Sequence, residues 1–428
     1  MKNLLTEVLE HEVYPAMGCT EPAAVAFCAA RAAKLLSPEK AVSVKLKVDP
    51  GTYKNGLAVA LPNTRGEKGN LMAAALGAVM ARAETGTAIF KKLAVSDLKK
   101  ARALLRKGAV SIAIDYGKKG IYISAEVRSA GHKALCEIKN SHSAVTLLKR
   151  DGREIMRKKT GVPGKNCAPY KSVLHKANFK KLFKALETVT PAQLAYIKEG
   201  VKLNLAASKE GLKIKKVGYY IADLIAKGYI KKDILSTAKL TTAAATDARM
   251  AGAPLPVMSS GQAGNQGVVA ILVPYLVGKA FKMPERRILK SIALSHLVNA
   301  YIKVYTGELA PICGCAVAAG VGAAAAIVWQ RKGANLAAAT LAVNNVISDI
   351  GGTLCDGAKS GCALKVASSS DSAIRAAYMA INGEGISEFE GFIGKTAEET
   401  IKNIALISKT GMAKVDRVIL EIMSAKNM

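Results

Sequence analysis

Residues 109–150 read AVSIAIDYGKKGIYISAEVRSAGHKALCEIKNSHSAVTLLKR. Four apolar runs lie in this stretch, over 109–116, 121–128, 133–139 and 143–149, separated by Gly and Asn-Ser punctuation. Runs of that length joined by such short breaks predict successive strands and an antiparallel sheet. Upstream, Val42-Ser-Val-Lys-Leu-Lys-Val48 alternates apolar and polar residues as another strand. Pro50-Gly51 then reads as a turn, with 56–61 carrying the sheet on. Helices are expected over 2–12, 23–36, 71–83 and 96–106. Cys136 falls inside a strand and reads as core. The basic run 149–159 reads as a solvated strand end and loop, and Cys167 sits in a Pro/Gly-containing linker.

Beyond 176 the period changes. Helical patterns occupy 177–188, 191–207, 217–227, 232–250, 267–282, 285–301, 313–332, 336–350, 372–381, 397–409 and 415–424, many divided by polar or Gly-rich breaks. The expected class is α+β. An N-terminal helix and a small mixed or antiparallel-sheet subdomain occupy 1–175, including a helix start at Cys19. A large all-helical domain follows over 176–428.

A chain of 428 residues can bury a substantial core, and half of its residues are hydrophobic. The formal net charge of +30 would ordinarily suggest nucleic acid. Here the lysines are spread along the chain, aromatics are few and no nucleic-acid motif occurs, so no such partner is expected. A lysine-rich proteome or a solvated basic face accounts for the charge, and a small anionic substrate would also tolerate such a field. Eight cysteines in so long a chain do not form a disulfide scaffold; clustered near glycine, they suggest ligand or catalytic thiols in a reducing, cytoplasmic setting. The N-terminus, with Lys2, Glu7, Glu10 and Glu12, lacks the pattern of a signal peptide. The apolar runs 268–281 and 312–329 contain Pro274 and Lys279, or are Gly- and Ala-rich. They read as core helices rather than membrane spans.

Three stretches carry chemistry. In Gly18-Cys19-Thr20-Glu21-Pro22, Thr20 is a candidate N-cap and Pro22 suits a first turn, so Cys19 lies at the positive end of a helix. That position lowers a thiol pKa. Pro256-Val-Met-Ser259-Ser260-Gly261-Gln-Ala-Gly264-Asn265-Gln266-Gly267 precedes an apolar helix. Its hydroxyls, glycines and helix-start N–H groups suit a small anion such as a carboxylate. Cys313-Gly314-Cys315 follows Pro311, and Cys355 and Cys362 bracket a loop with Asp356, Gly357 and Lys359. These are not two Cys-x-x-Cys pairs, as a structural zinc site would favour, nor a ferredoxin array. Three thiolates from two segments can hold a [4Fe–4S] cluster with one iron open; zinc or inert core thiols are the alternatives. His296, between Ser295 and Leu297, reads as a core histidine. Lys303 and Tyr305 lie close to the Cys-Gly-Cys in sequence.

Taken together and in order, Gly18–Pro22, Ser259–Gly267, Cys313-Gly314-Cys315-Ala316-Val317-Ala318-Ala319-Gly320 and the run from Cys355-Asp356-Gly357-Ala358-Lys359 through Gly361-Cys362-Ala363-Leu364-Lys365 resemble the L-cysteine desulfidase family, which is related to the iron–sulfur-dependent L-serine dehydratases. The resemblance spans nearly the whole chain. It implies a lyase independent of pyridoxal phosphate that converts L-cysteine to pyruvate, ammonia and hydrogen sulfide with a [4Fe–4S] cluster. Residue by residue, it implies Cys313, Cys355 and Cys362 as cluster ligands, with Cys315 as a rival to Cys313, and Cys19 as the base. Ser259, Ser260, Gly261, Asn265 and Gln266 would hold the substrate. Gln262 and Ala263 stand where the family's loop has Ser and Gly, which leaves L-serine and other β-substituted amino acids open. The helical domain would be the catalytic one, and the partner a small amino acid, with a homodimer left open.

Overall fold

In the computed structural model the described residues are 4–118, 120–158, 169–307 and 310–426. The loop that holds Cys167 lies outside them. Eight strands are present: β1 Pro15–Ala16, β2 Ser43–Val48, β3 Val110–Ile114, β4 Tyr122–Arg128, β5 Lys133–Lys139, β6 Val145–Arg150, β7 Arg153–Arg157 and β8 Val257–Met258. Six of them form one sheet in the order β3-β2-β4-β5-β6-β7. The β4–β7 part is antiparallel, as the 109–150 stretch predicts. The alternating strand β2 inserts between β3 and β4, parallel to the first and antiparallel to the second, which makes the sheet mixed. The basic run ends as a strand, β7, with exposed side chains.

The expectation of sheet over 56–61 fails. Pro50–Gly56 is a helix, because Asp49 caps it by accepting from the Thr52 N–H at 2.9 Å, and Pro50 occupies the first turn. Asp49 also accepts from the Tyr122 N–H, which fastens this cap to β4.

Helices Thr20–Lys34 and Gly69–Met80 cover the sheet with small side chains. At their crossing a Cβ on Gly77 would fall 2.0 Å from the Ala26 carbonyl oxygen, so the two backbones touch where no side chain fits. Cys136 is fully buried in this core, as expected, beside Cys28.

The second core is helical. Gly264–Ala280, Glu285–Thr306 and Val317–Lys332 lie at its centre and are buried nearly all round. Pro191–Gly211, Ile234–Met250, Leu336–Ile350 and Cys362–Ile381 pack around them. Both suspect apolar runs fall in these central helices, and among the described residues no helix is long and apolar enough to cross a membrane. The two bodies exchange ends. Leu5, Val8 and Leu9 of helix Leu4–Glu12 pack into the helical core, while Leu420 of the last helix packs into the sheet core. The fold is α+β with a large helical C-terminal region.

Candidate active site

Cys19 is placed by a turn and a helix. Gly18 has φ +67, and a Cβ there would fall 2.6 Å from Pro62 Cγ, so the turn requires glycine. The N-cap of Thr20–Lys34 is Cys19 itself, with extended backbone, and not Thr20. The thiol makes no cap bond; its Sγ donates to Glu21 Oε2 at 2.8 Å. Burial and the Glu21 charge push the Cys19 thiol well above its usual range, against a smaller opposing effect of Arg249. The expected lowering by the helix end is therefore overturned. Burial first, and then the formal charge of Glu21 one hydrogen bond away, outweigh a partial charge at the helix terminus. Burial works against the Glu21 carboxylate too, but His142, Cys19 and Asn55 together hold it below its usual range. Asn55 Nδ2 donates to Glu21 Oε1 at 2.9 Å, and His142 Nε2 lies 3.9 Å from that oxygen.

Four cysteines of the C-terminal half, Cys313, Cys315, Cys355 and Cys362, meet Cys19 across one cavity. Two extended segments create the meeting. Ile312 bridges Leu354, the Cys313 N–H donates to Thr353 O at 2.8 Å, and the Cys355 N–H donates to Pro311 O at 2.7 Å. Cys313 and Cys355 are thus brought side by side by backbone pairing. Cys362 opens the helix Cys362–Ile381 and packs in one small apolar cluster with Cys19, Val59 and Met250. The expected helix start at Cys313 is delayed to Val317, which leaves both cysteines of the pair in a turn.

The 259–267 loop divides in two. Asn265 and Gln266 line the cavity, as does Gln262. Ser259 and Ser260 are fully buried and turned elsewhere. Ser259 Oγ accepts from the Tyr14 N–H and donates to Glu12 O, which locks the β1–β8 pairing. Ser260 Oγ accepts from Asn299 Nδ2 and meets His296 Nδ1, each at 2.9 Å. Gly261 is a space-holder: a Cβ there would fall 2.6 Å from the Lys303 side chain. Lys303 lines the cavity and donates to the Gly261 carbonyl. Tyr305 instead donates to His175 O.

Sequence reading did not single out Glu21, Asn55, His142 or Arg249 as site residues, yet all four line the cavity. Glu21 stood inside a quoted motif. The other three lie far apart in the chain and carry no local signal.

A model of the serine dehydratase alpha chain family matches residues 118–421. The chain belongs to that family. It is 54% identical to a UPF0597 protein of Elusimicrobium minutum, over 99% of both chains. A UPF0597 protein of Geobacter sulfurreducens is 51% identical over 98% of both, and one of Clostridioides difficile 37% identical over 98% of this chain and 99% of its own. No solved structure matches. The chain is a serine-dehydratase-like lyase at this coarse level.

Serine dehydratase-like proteins as a group are iron–sulfur dependent, and the thiols of this chain suit such a group. Cys315 and burial push Cys313 up to about 12, partly offset by Cys355. Cys313 and burial push Cys355 well up, and burial raises Cys362. Such thiols stay protonated until a metal displaces the protons. Among the described residues no three His, Cys, Asp or Glu side chains converge as on a single ion. A cubane cluster asks for something else, one thiolate at each of several separated corners. Lys54, Arg249 and Lys365 add positive charge to the same cavity, which favours an anionic occupant.

Proposed function

We propose that the chain is an iron–sulfur lyase that eliminates the β-substituent of an L-amino acid, with L-cysteine as first candidate and pyruvate, ammonia and hydrogen sulfide as products. The observation that carries this reading is the convergence of Cys19 with Cys313, Cys355 and Cys362 on one cavity. Those three cysteines would hold a [4Fe–4S] cluster, whose open iron would supply Lewis acidity to the leaving group. Cys313 is preferred to Cys315 because backbone pairing fixes it beside Cys355.

The chain's own groups handle the proton. Cys19 must lose a proton before it can take one, and its hydrogen bond to the Glu21 carboxylate fixes where Sγ points. The thiol gives its proton up to solvent and the thiolate then takes the α-hydrogen, while Glu21 stays a carboxylate. Burial keeps the resting population on the thiol side, so the thiolate is a strong base once formed. Asn55 holds Glu21 in position throughout.

The test is anaerobic purification of single variants. Cys355→Ser, Cys362→Ser and Cys313→Ser should lose most of their iron and visible absorption, and Cys19→Ala should keep both while losing turnover. Iron loss from Cys19→Ala would make Cys19 a ligand and remove the base. Retention of iron by Cys313→Ser with loss in Cys315→Ser would transfer the ligand role to Cys315. Sulfide release from L-cysteine, compared with pyruvate release from L-serine, decides the substrate.

A further inference from the structure

We propose that Arg249 and Glu21 clamp the substrate as a zwitterion, Arg249 taking the α-carboxylate and Glu21 the α-ammonium. The identity of the ligand as an α-amino acid rests on the lyase reading above; the clamp itself rests on two buried charges. Arg249 ends the helix Ile234–Met250 and is 6% exposed. Its Nη1 donates to the neutral Asn265 Oδ1 at 3.1 Å, and its buried Nε has no partner among the described residues. No carboxylate of the described residues forms an ion pair with it; Asp247, on the same helix, instead accepts from the Gly218 N–H. A guanidinium taken out of water without a counter-charge is costly, so a working protein supplies the anion. The planar fork of arginine matches a carboxylate. Gly264 keeps the space: a Cβ there would fall 2.4 Å from Nε.

Glu21 supplies the opposite sign. It is the one acidic side chain lining the cavity among the described residues, and it is 8% exposed. Its Oε1 is engaged by Asn55 and its Oε2 by the Cys19 thiol. An ammonium seated on Oε2 brings Cα, one bond away, to the thiol. The α-hydrogen then faces Cys19 while the carboxylate faces Arg249 and the β-substituent faces the three-cysteine wall. Fixed anchors of this kind select one enantiomer. They also explain why Ser259 and Ser260 can be used up on internal bonds: the carboxylate has a charged partner elsewhere.

The test uses L-alanine, which has no leaving group, and calorimetric binding to the anaerobically purified holoenzyme. Wild type should bind L-alanine and discriminate by about tenfold or more against L-alaninamide, which lacks the carboxylate, and against propionate, which lacks the ammonium. Arg249→Gln should lose the first discrimination and Glu21→Gln the second, each with iron content unchanged. Arg249→Lys, which keeps the charge and loses the fork, should weaken L-alanine by about tenfold and serves where the glutamine variant does not fold. Wild-type affinity for L-alanine in both Arg249 variants would overturn the clamp. So would loss of iron from them, which would assign Arg249 to the cluster, or no L-alanine binding by wild type. Arg249-dependent binding of L-alanine without elimination of L-cysteine or L-serine would keep the clamp and sink the lyase. Elimination with an unchanged KM in Arg249→Gln would sink the clamp alone.

Discussion

His296 is fully buried, with Nδ1 on Ser260 and Nε2 unpartnered among the described residues. Burial alone lowers its pKa to about 3. Unfolded, the imidazole takes a proton near pH 6.5, and folded it does not. The unfolded state therefore binds the extra proton, and stability falls as pH drops from about 6.5 toward 3. Between pH 7 and 4.5 this group should cost about 2.5 kcal/mol. His296→Gln, which keeps an acceptor for Ser260, should show a shallower loss of urea-unfolding stability over that range by about this amount; an equal slope would mean the imidazole is protonated when folded. The role of His296 as a core residue was legible, because apolar neighbours on a helix give it no route to solvent. The Cys19 thiol shows the limit. Its place at a helix start was legible; the carboxylate that raises its pKa was not, since the fold of Glu21 back onto Sγ depends on Asn55 and His142 from other parts of the chain. Likewise a serine hydroxyl in a Gly-rich loop looks the same in sequence whether it faces a ligand or, like Ser259, fastens a neighbouring strand.

Most long helices and the antiparallel strands were legible because one period runs through each of them, and the misread elements were those decided by single contacts. Pro50–Gly56 became helix through one Asp49 cap. The Cys355–Cys362 loop is decided in the same way. Gly357 has φ +89, and a Cβ there would fall 2.1 Å from the Lys54 carbonyl oxygen. Lys365 Nζ braces the loop by donating to Leu354 O and Asp356 Oδ1, each at 2.6 Å. Gly357→Ala meets both a disfavoured backbone and a backbone clash, at a cost of about 1–3 kcal/mol. The loop can shed that strain by moving away from helix Pro50–Gly56, which separates Cys355 and Cys362 from Cys313. Iron per chain in Gly357→Ala should fall by half or more while helical circular dichroism holds. Full iron retention would show that the loop reaches its place without this contact.

At the scale of the whole molecule, the cavity exists because the sheet body and the helical body are held together, and the hold reaches to the end of the chain. Lys54 is 2% exposed and pairs with Asp416 at 2.7 Å, an oxygen carried by the last helix, Ala413–Ser424. Leu420, one turn on, is buried in the sheet core. Nothing in the sequence joins positions 54 and 416; each is an ordinary charged residue until the fold buries one beside the other. Lys54 also faces the cavity, and its charge acts on Cys355. Removing only the acid leaves a buried ammonium with no counter-charge, which costs more than the pair contributes. Asp416→Asn should therefore destabilise the iron-free protein by about 3 kcal/mol in urea unfolding, whereas Lys54→Met with Asp416→Asn should recover a large part of that loss. If Cys355 holds a cluster as proposed, the loss should shrink in the iron-loaded protein, where the anionic cluster would give Lys54 a second partner. A single-variant cost that is small, or equal with and without iron, would mean that Lys54 reaches water when Asp416 is gone and that the last helix does not clamp the cavity through this pair.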